Sequence, residues 1–373
     1  MNLERLSEEF NALFSMQLAQ NETFGGAAAV LLHGEPVFNA TFGDARFCEN
    51  SIFRLASLTK LFTAVLVMKL CESGKIDEDA PVSAYLPAYA QLRLGRMRED
   101  GQIFDAGRPE REITVRDLLS HTAGLGADAL GNREYELVPA EYKTSLQAVT
   151  DYYPAHLHLA FAPGSRAAYS GFAAYDVLAR IIEVESGMSF NDYLQSALCR
   201  PLDLRDTTFQ PTDEQYARLV PMHKVVSGNA IEINFRGNLF RSVPRTYEMA
   251  GASLISSMRD IIRLCGMLCH GGILDGVRIL TEESVRKMCT PKLPDGLDGL
   301  SRGENNGYGC FMVTGEHRLP RGSIFTHGAY GTHILYLPKP DVVGIFLKNS
   351  FYDMSITSHS TLAFEEALRA AVK

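Results

Sequence analysis

FRLASLTKLFTAVLVMKL, residues 53–70, is an apolar stretch that carries one hydroxyl–amine pair, Ser57 and Lys60. Residues three apart share a helical face, with Cβ atoms roughly 5–6 Å apart. Serine is a weak nucleophile until a neighbouring base takes its proton, and a desolvated lysine can serve as that base. Leu61, Phe62, Ala64, Val65, Leu66, Val67, Met68 and Leu70 leave the segment without a polar face, which describes a core helix. The pattern therefore sets a candidate nucleophile at the first turn of a buried helix, where free N–H groups and the dipole favour developing negative charge. Ser-x-x-Lys is a short motif, however, and Ser284-Val285-Arg286-Lys287 repeats it in TEESVRKM. Charges dominate there, so a solvated helix is expected, and the motif alone does not decide between function and packing.

The chain has 373 residues, enough for two domains or one large domain with an insertion, and 46% of them are apolar. Lys and Arg total 36 against 44 acids, a formal net charge of −8, which argues against nucleic acid or an anionic membrane as partner. MNLERLSEEFNALF is charged throughout and has neither the apolar run nor the cleavage site of a secretory signal; Leu3, Leu6, Phe10, Leu13, Phe14 and Leu18 follow helical spacing instead. Arg54, Lys60 and Lys69 break the longest apolar segment, so no membrane span is expected. The seven cysteines include no C-x-x-C pair, and Cys265 and Cys269 read as two buried thiols on one helix. A reduced, cytoplasmic protein is expected, the alternative being an exported relative without its leader.

Along the chain, Gly25-Gly26 opens two strands joined by a His33-Gly34-Glu35 turn. The Ser57 helix ends near Gly74. From about residue 90 to 210 the pattern is helical: ITVRDLLSHT begun by Thr114, an amphipathic helix over 173–185 stopped by Ser186-Gly187, and another over 190–198. Strands return at 308–313, 323–325, 332–337 and 342–348, spaced as an antiparallel meander closing on the first hairpin, with a long loop at 291–306 before them. A helix over 357–371 ends the chain. The division expected is an α/β sandwich domain from 1–75 and 235–373, with 76–234 inserted as an all-helical domain.

A Ser–Lys nucleophile needs a second proton relay and an oxyanion hole. In PGSRAAYSGFAAYDVL, Tyr169 follows a Pro163-Gly164 turn and precedes a helix, so its hydroxyl can project from a rigid loop; a phenol beside an ammonium ionises below its free pKa of about 10. As one of fifteen tyrosines it reads first, taken alone, as a half-buried core residue. Thr326-His327-Gly328-Ala329-Tyr330-Gly331-Thr332 precedes a strand, and its glycines let backbone run alongside a substrate. His327 could act as a base, yet no G-x-S-x-G elbow accompanies it.

These stretches together resemble the serine β-lactamase and penicillin-binding-protein-like superfamily, in the branch of class C β-lactamases, D-alanyl carboxypeptidases and family VIII carboxylesterases. The similarity runs in order from about residue 25 to 349, through FRLASLTKLFTAVLVMKLCESGKIDEDAPVSAYLP, ITVRDLLSHTAGL, FAPGSRAAYSGFAAYDVLARIIEVESGMSFNDYL, PLDLRDTTF, GYGCFM and HGAYGTHILYLPKPDVVGIFLKN. It implies an antiparallel sheet with helices on both faces, an inserted helical domain, and a site between them. It puts the nucleophile on Ser57, its lysine on Lys60 and the tyrosine on Tyr169. The third motif falls on Thr326-His327-Gly328, as substrate-binding residues, and the oxyanion donors are the N–H groups of Ser57 and Ala329. A shift by one residue would make His327 the first member of that motif.

Two departures bear on substrate. Gly171 stands where β-lactamases carry an asparagine for the substrate amide, and Thr326 where they carry a lysine for its carboxylate. Losing each contact costs about 1–3 kcal/mol of binding. The resemblance thus implies a serine hydrolase working through an acyl-enzyme on a small ester or amide, an ester first, with no metal or organic cofactor. β-Lactamase, D-alanyl carboxypeptidase, D-aminopeptidase and acyltransferase activities stay open beside it, as does a catalytically silent binding protein. Oligomeric state is not readable.

Overall fold

GGAAAVLL has no polar alternation, and strand β1 (Gly25–Leu32) is accordingly covered on both faces. In the computed structural model, which describes residues 3–233, 245–294, 297–350 and 354–372, β1 lies inside a seven-stranded sheet. Its other strands are β2 (Glu35–Gly43), β3 (Glu304–Asn306), β4 (Phe311–Val313), β5 (Ile324–Gly328), β6 (Thr332–Leu337) and β7 (Val342–Leu347), in the spatial order β3-β4-β5-β6-β7-β1-β2. Every pairing is antiparallel. The β1–β2 turn has positive φ at both His33 (52°) and Gly34 (81°), the conformation a two-residue hairpin favours. The late meander closes on this hairpin through β7 and β1, Ala27 opposite Leu347, as the strand spacing predicts. β3 falls within the stretch read as loop, being only three residues long and polar.

Period-two alternation splits β1 between two cores. Ala28 and Val30 join Leu6, Phe10 and Phe14 of helix α1 (Leu3–Ala19) and Phe364 and Leu368 of helix α11 (Met354–Ala371). Ala27, Ala29 and Leu31 point the other way, into the core of α2 (Thr59–Glu72) and α9 (Met258–Cys269). Helix α2 buries eleven of its fourteen residues, Thr59–Leu70 apart from Lys69, as its uniformly apolar composition requires.

Between α2 and α9 the chain is mainly helical: α3 (Val115–Leu119), α4 (Asp128–Leu137), α5 (Leu146–His156), α6 (Ala173–Ser186), α7 (Phe190–Leu194) and α8 (Asp213–Ala217). Two ribbons, Leu94–Met97 with Ile103–Gly107 and Met222–Val226 with Asn229–Ile233, interrupt it. Thr114 caps α3 in a reciprocal box with Asp117, and Gly187 ends α6 at φ 71°. The helix expected over 190–198 stops at Leu194 and widens into a π-turn, Gln195–Cys199. The expected division near residue 235 lies outside the described residues.

Helix α10 (Glu282–Met288) houses the second Ser-x-x-Lys. Ser284 takes its place behind the Thr281 cap, and Lys287 lies 2.5 Å from Glu78, so both have structural employment.

Candidate active site

Ser57 sits in a single 3₁₀ turn, Ala56–Leu58, that runs directly into α2, rather than in the α-helix itself. The turn is entered through Ala56 at φ 49°, a left-handed conformation that costs a non-glycine residue about 1–3 kcal/mol. Neighbours hold it in place. Thr59 Oγ1 donates to the Ala56 carbonyl at 2.6 Å and accepts from the Leu254 N–H at 3.2 Å. Upstream, Asn349 mimics a strand for Arg54: its Oδ1 accepts the Arg54 N–H and its Nδ2 donates to the Arg54 carbonyl, both at 3.0 Å.

One helical turn on, Lys60 is buried with its ammonium donating to the carbonyls of Gly171 and Gly251, each at 2.8 Å. It lies 4.9 Å from the centroid of the Tyr169 ring and 5.2 Å from that of Tyr175. Two of three ammonium donors are thus engaged, leaving one for the cleft. Gly251 is small for a reason: a Cβ there would lie 2.8 Å from the Gly171 carbonyl and 3.0 Å from Lys60 Nζ. The structure therefore brings Ser57, Lys60 and Tyr169 to one place, from the start of α2 and the loop before α6.

That loop is held by a residue to which no role was given from sequence. His121 is buried, with φ 59°; its carbonyl accepts the Ala168 N–H at 3.0 Å and its Nδ1 accepts the Ser170 N–H at 3.2 Å. Tyr169 is bracketed between those two bonds. Burial, with the Lys60 charge adding to it, pushes His121 down to about 3, so its imidazole stays neutral with the proton on Nε2. Behind Lys60, buried Asp176 accepts from the hydroxyls of Tyr153 (3.0 Å) and Tyr247, and burial pushes its carboxyl up to about 7. His121 and Asp176 lie within the quoted stretches ITVRDLLSHTAGL and PGSRAAYSGFAAYDVL, but their roles, like that of Gly251, come from partners far along the chain.

The third stretch belongs to β5, which runs on through Thr326, His327 and Gly328 beyond the strand expected over 323–325. Gly328 is packed where a Cβ would collide with the Thr332 hydroxyl and the Leu55 carbonyl, so the strand end abuts the Ser57 turn and Ala329 follows beside it. Thr332 secures this contact by donating to the Leu55 carbonyl at 2.8 Å. The ladder to β4 ends at Phe325, so residues 326–328 have no strand partner on that side among the described residues. Alternation sends Thr326 and His327 to opposite faces. Thr326 is buried against an apolar cavity, while His327 is exposed, 6.0 Å from the Phe311 ring. Surrounding protein pushes the His327 imidazole below its ordinary pKa.

Comparison with known proteins bears on the fold and the family. The chain is 27% identical over 339 residues to an uncharacterized protein of Mycobacterium tuberculosis, covering 86% of this chain and 82% of that one. It is 28% identical over 295 residues to the esterase EstB of Burkholderia gladioli, 69% of each chain. Among solved structures, EstCE1, described as a hydrolase with promiscuous acyltransferase activity, superposes with a TM-score of 0.80 at 21% identity over 98% of both chains. The sequence profile of the beta-lactamase family matches residues 10–368, nearly the whole length, and the chain belongs to that family of serine hydrolases.

Proposed function

We propose that the protein is a carboxylesterase of small esters, working through an acyl-enzyme on Ser57. Ser57 Oγ attacks the ester carbonyl while Lys60 and Tyr169 share its proton, and the same pair returns it to the leaving alcohol. The N–H groups of Ser57 and Ala329 receive the oxyanion, for which the packing of Gly328 against Leu55 and Ala56 is the support. Water then releases the acyl group by the reverse proton path.

The observation that carries the choice of ester is the pair of vacant recognition positions. At the end of β5 no cation is presented to a substrate carboxylate: the Thr326 side chain is turned away into an apolar cavity, and the surrounding protein lowers the His327 pKa to about 4, so its imidazole is neutral. At Gly171 a Cβ would meet nothing within 4 Å, so an amide-bearing side chain has room there and the sequence omits it. β-Lactams and D-alanyl peptides depend on such contacts, and a simple ester does not.

The test compares kcat/KM for short p-nitrophenyl esters with that for a chromogenic cephalosporin, in wild type and Ser57→Ala. Ester turnover well above cephalosporin turnover, lost in Ser57→Ala, is expected. Preference for the cephalosporin would reassign the enzyme to β-lactam hydrolysis. Absence of a fluorophosphonate adduct on Ser57 would leave a binding protein, and ester product formed with an added alcohol would identify an acyltransferase.

A further inference from the structure

Four of the seven cysteines converge on one place. Cys265, Cys269, Cys289 and Cys310 line an apolar cavity of about 250 Å³ together with Leu61, Arg286 and Thr326. It lies directly behind the Thr326 end of β5, and the Ser57 chemistry uses none of its thiols. Cys289 follows α10 and Cys310 precedes β4. Cys310 Sγ is 3.7 Å from the carbonyl of Met288, the residue before Cys289.

We propose that Cys289 and Cys310 are an oxidisable dithiol, joined as a disulfide when a hydroperoxide enters this cavity, and that the bond slows catalysis at Ser57. The rate half of this inference rests on the esterase reading; the dithiol half does not. Both thiols line the cavity, Cys289 part-exposed and Cys310 buried, so Cys289 meets the peroxide first and is the attacking thiolate. Its sulfur takes the distal oxygen of the peroxide, the O–O bond breaks, and the departing alkoxide or hydroxide takes up the proton as alcohol or water. Cys310 then attacks the sulfenic sulfur, the S–O bond breaks, and water leaves with the Cys310 proton. Two thiols give up two electrons and two protons, and the peroxide is reduced to alcohol and water.

The coupling to the site follows from what flanks Cys310. Closing the sulfurs to about 2.05 Å draws Cys310 toward α10. Gly309, at φ 72°, has no slack to absorb this, because a Cβ there would lie 2.9 Å from both the Leu61 Cα and the Lys60 carbonyl. On the other side, the Phe311 ring lies 6.2 Å from His121 and 6.0 Å from His327. Movement at Cys310 is therefore delivered to the backbone of Lys60 and to the walls of the cleft.

The experiment treats the full, reduced chain with hydrogen peroxide and with cumene hydroperoxide, maps disulfides by non-reducing peptide mass spectrometry, and follows p-nitrophenyl ester hydrolysis before and after dithiothreitol. A Cys289–Cys310 peptide is expected, with the rate falling about tenfold, as for two coupled sites, and recovering on reduction. Cys289→Ser and Cys310→Ser should hold their rates under oxidant, whereas the Cys265→Ser/Cys269→Ser double variant should still respond. No linked peptide, a Cys269–Cys289 link in its place, or a linked enzyme of unchanged rate would overturn the proposal. A reduced protein that hydrolyses no ester would sink the catalytic reading and the rate half with it, while the peptide map would still decide the dithiol.

Discussion

The imidazole of His121 lies 4.8 Å, centroid to centroid, from the ring of Tyr169, and its Nδ1 holds the next residue's N–H. This makes His121 a positioning residue for the tyrosine. His121→Ala should lower kcat by about 10²-fold with KM little changed, since displacement of a catalytic group by an ångström has that effect. His121→Asn, whose side-chain oxygen can still accept from Ser170, should recover part of the loss. Because His121 titrates near 3, any acid limb of the pH–rate profile above pH 5 should be the same in His121→Asn as in wild type; a shifted limb would refute a purely positioning role.

Gly251 admits the Lys60 ammonium to its two carbonyls. Gly251→Ala places a methyl 3.0 Å from Nζ and 2.8 Å from the Gly171 oxygen, so lysine or loop must move. Esterase kcat/KM should fall about 10²-fold while the far-UV spectrum stays that of the wild type. Full activity in this variant would show that the Lys60 geometry is not needed.

Asp176 makes stability depend on pH. Its folded pKa of about 7 exceeds the ordinary value of 3.8, so the folded state holds the proton more tightly. The stability this contributes is complete below the unfolded pKa and is lost as pH rises through about 7, at up to about 1.4 kcal/mol per pH unit. Asp176→Asn cannot ionise and should escape this loss. Denaturant unfolding at pH 5 and pH 8 should therefore show the variant gaining on wild type at the higher pH; a gap independent of pH would contradict the assignment.

Asn349 satisfies both backbone groups of Arg54, three residues before Ser57. Asn349→Leu leaves a buried N–H and a buried carbonyl unpaired, at about 1–3 kcal/mol each. Asn349→Asp should also be destabilised, since a carboxylate cannot donate to the Arg54 carbonyl. Urea midpoints for the two variants check this, and a wild-type midpoint for Asn349→Asp would rule out the paired geometry.

What was legible in the chain by itself is what local periodicity and short motifs encode. The unbroken apolar run of α2, the alternation of the late strands and the His33-Gly34 turn report burial and backbone conformation within a few residues. They were enough for an antiparallel sheet closed by the first hairpin. The run of motifs likewise marked Ser57, Lys60 and Tyr169. The tertiary structure decided the rest, because those interactions join positions distant in sequence. Lys60 finds its carbonyls 111 and 191 residues away, and Asn349 reaches back 295 residues to Arg54. The Ser-x-x-Lys motif by itself does not separate Ser57 from Ser284, since both have a lysine three places on; the stretches around it singled out Ser57, and packing shows the physical difference, surrounding one lysine with carbonyls and aromatic rings and giving the other to Glu78. A motif specifies which groups share a helical face, whereas burial and the partners folded against that face determine what chemistry they can perform.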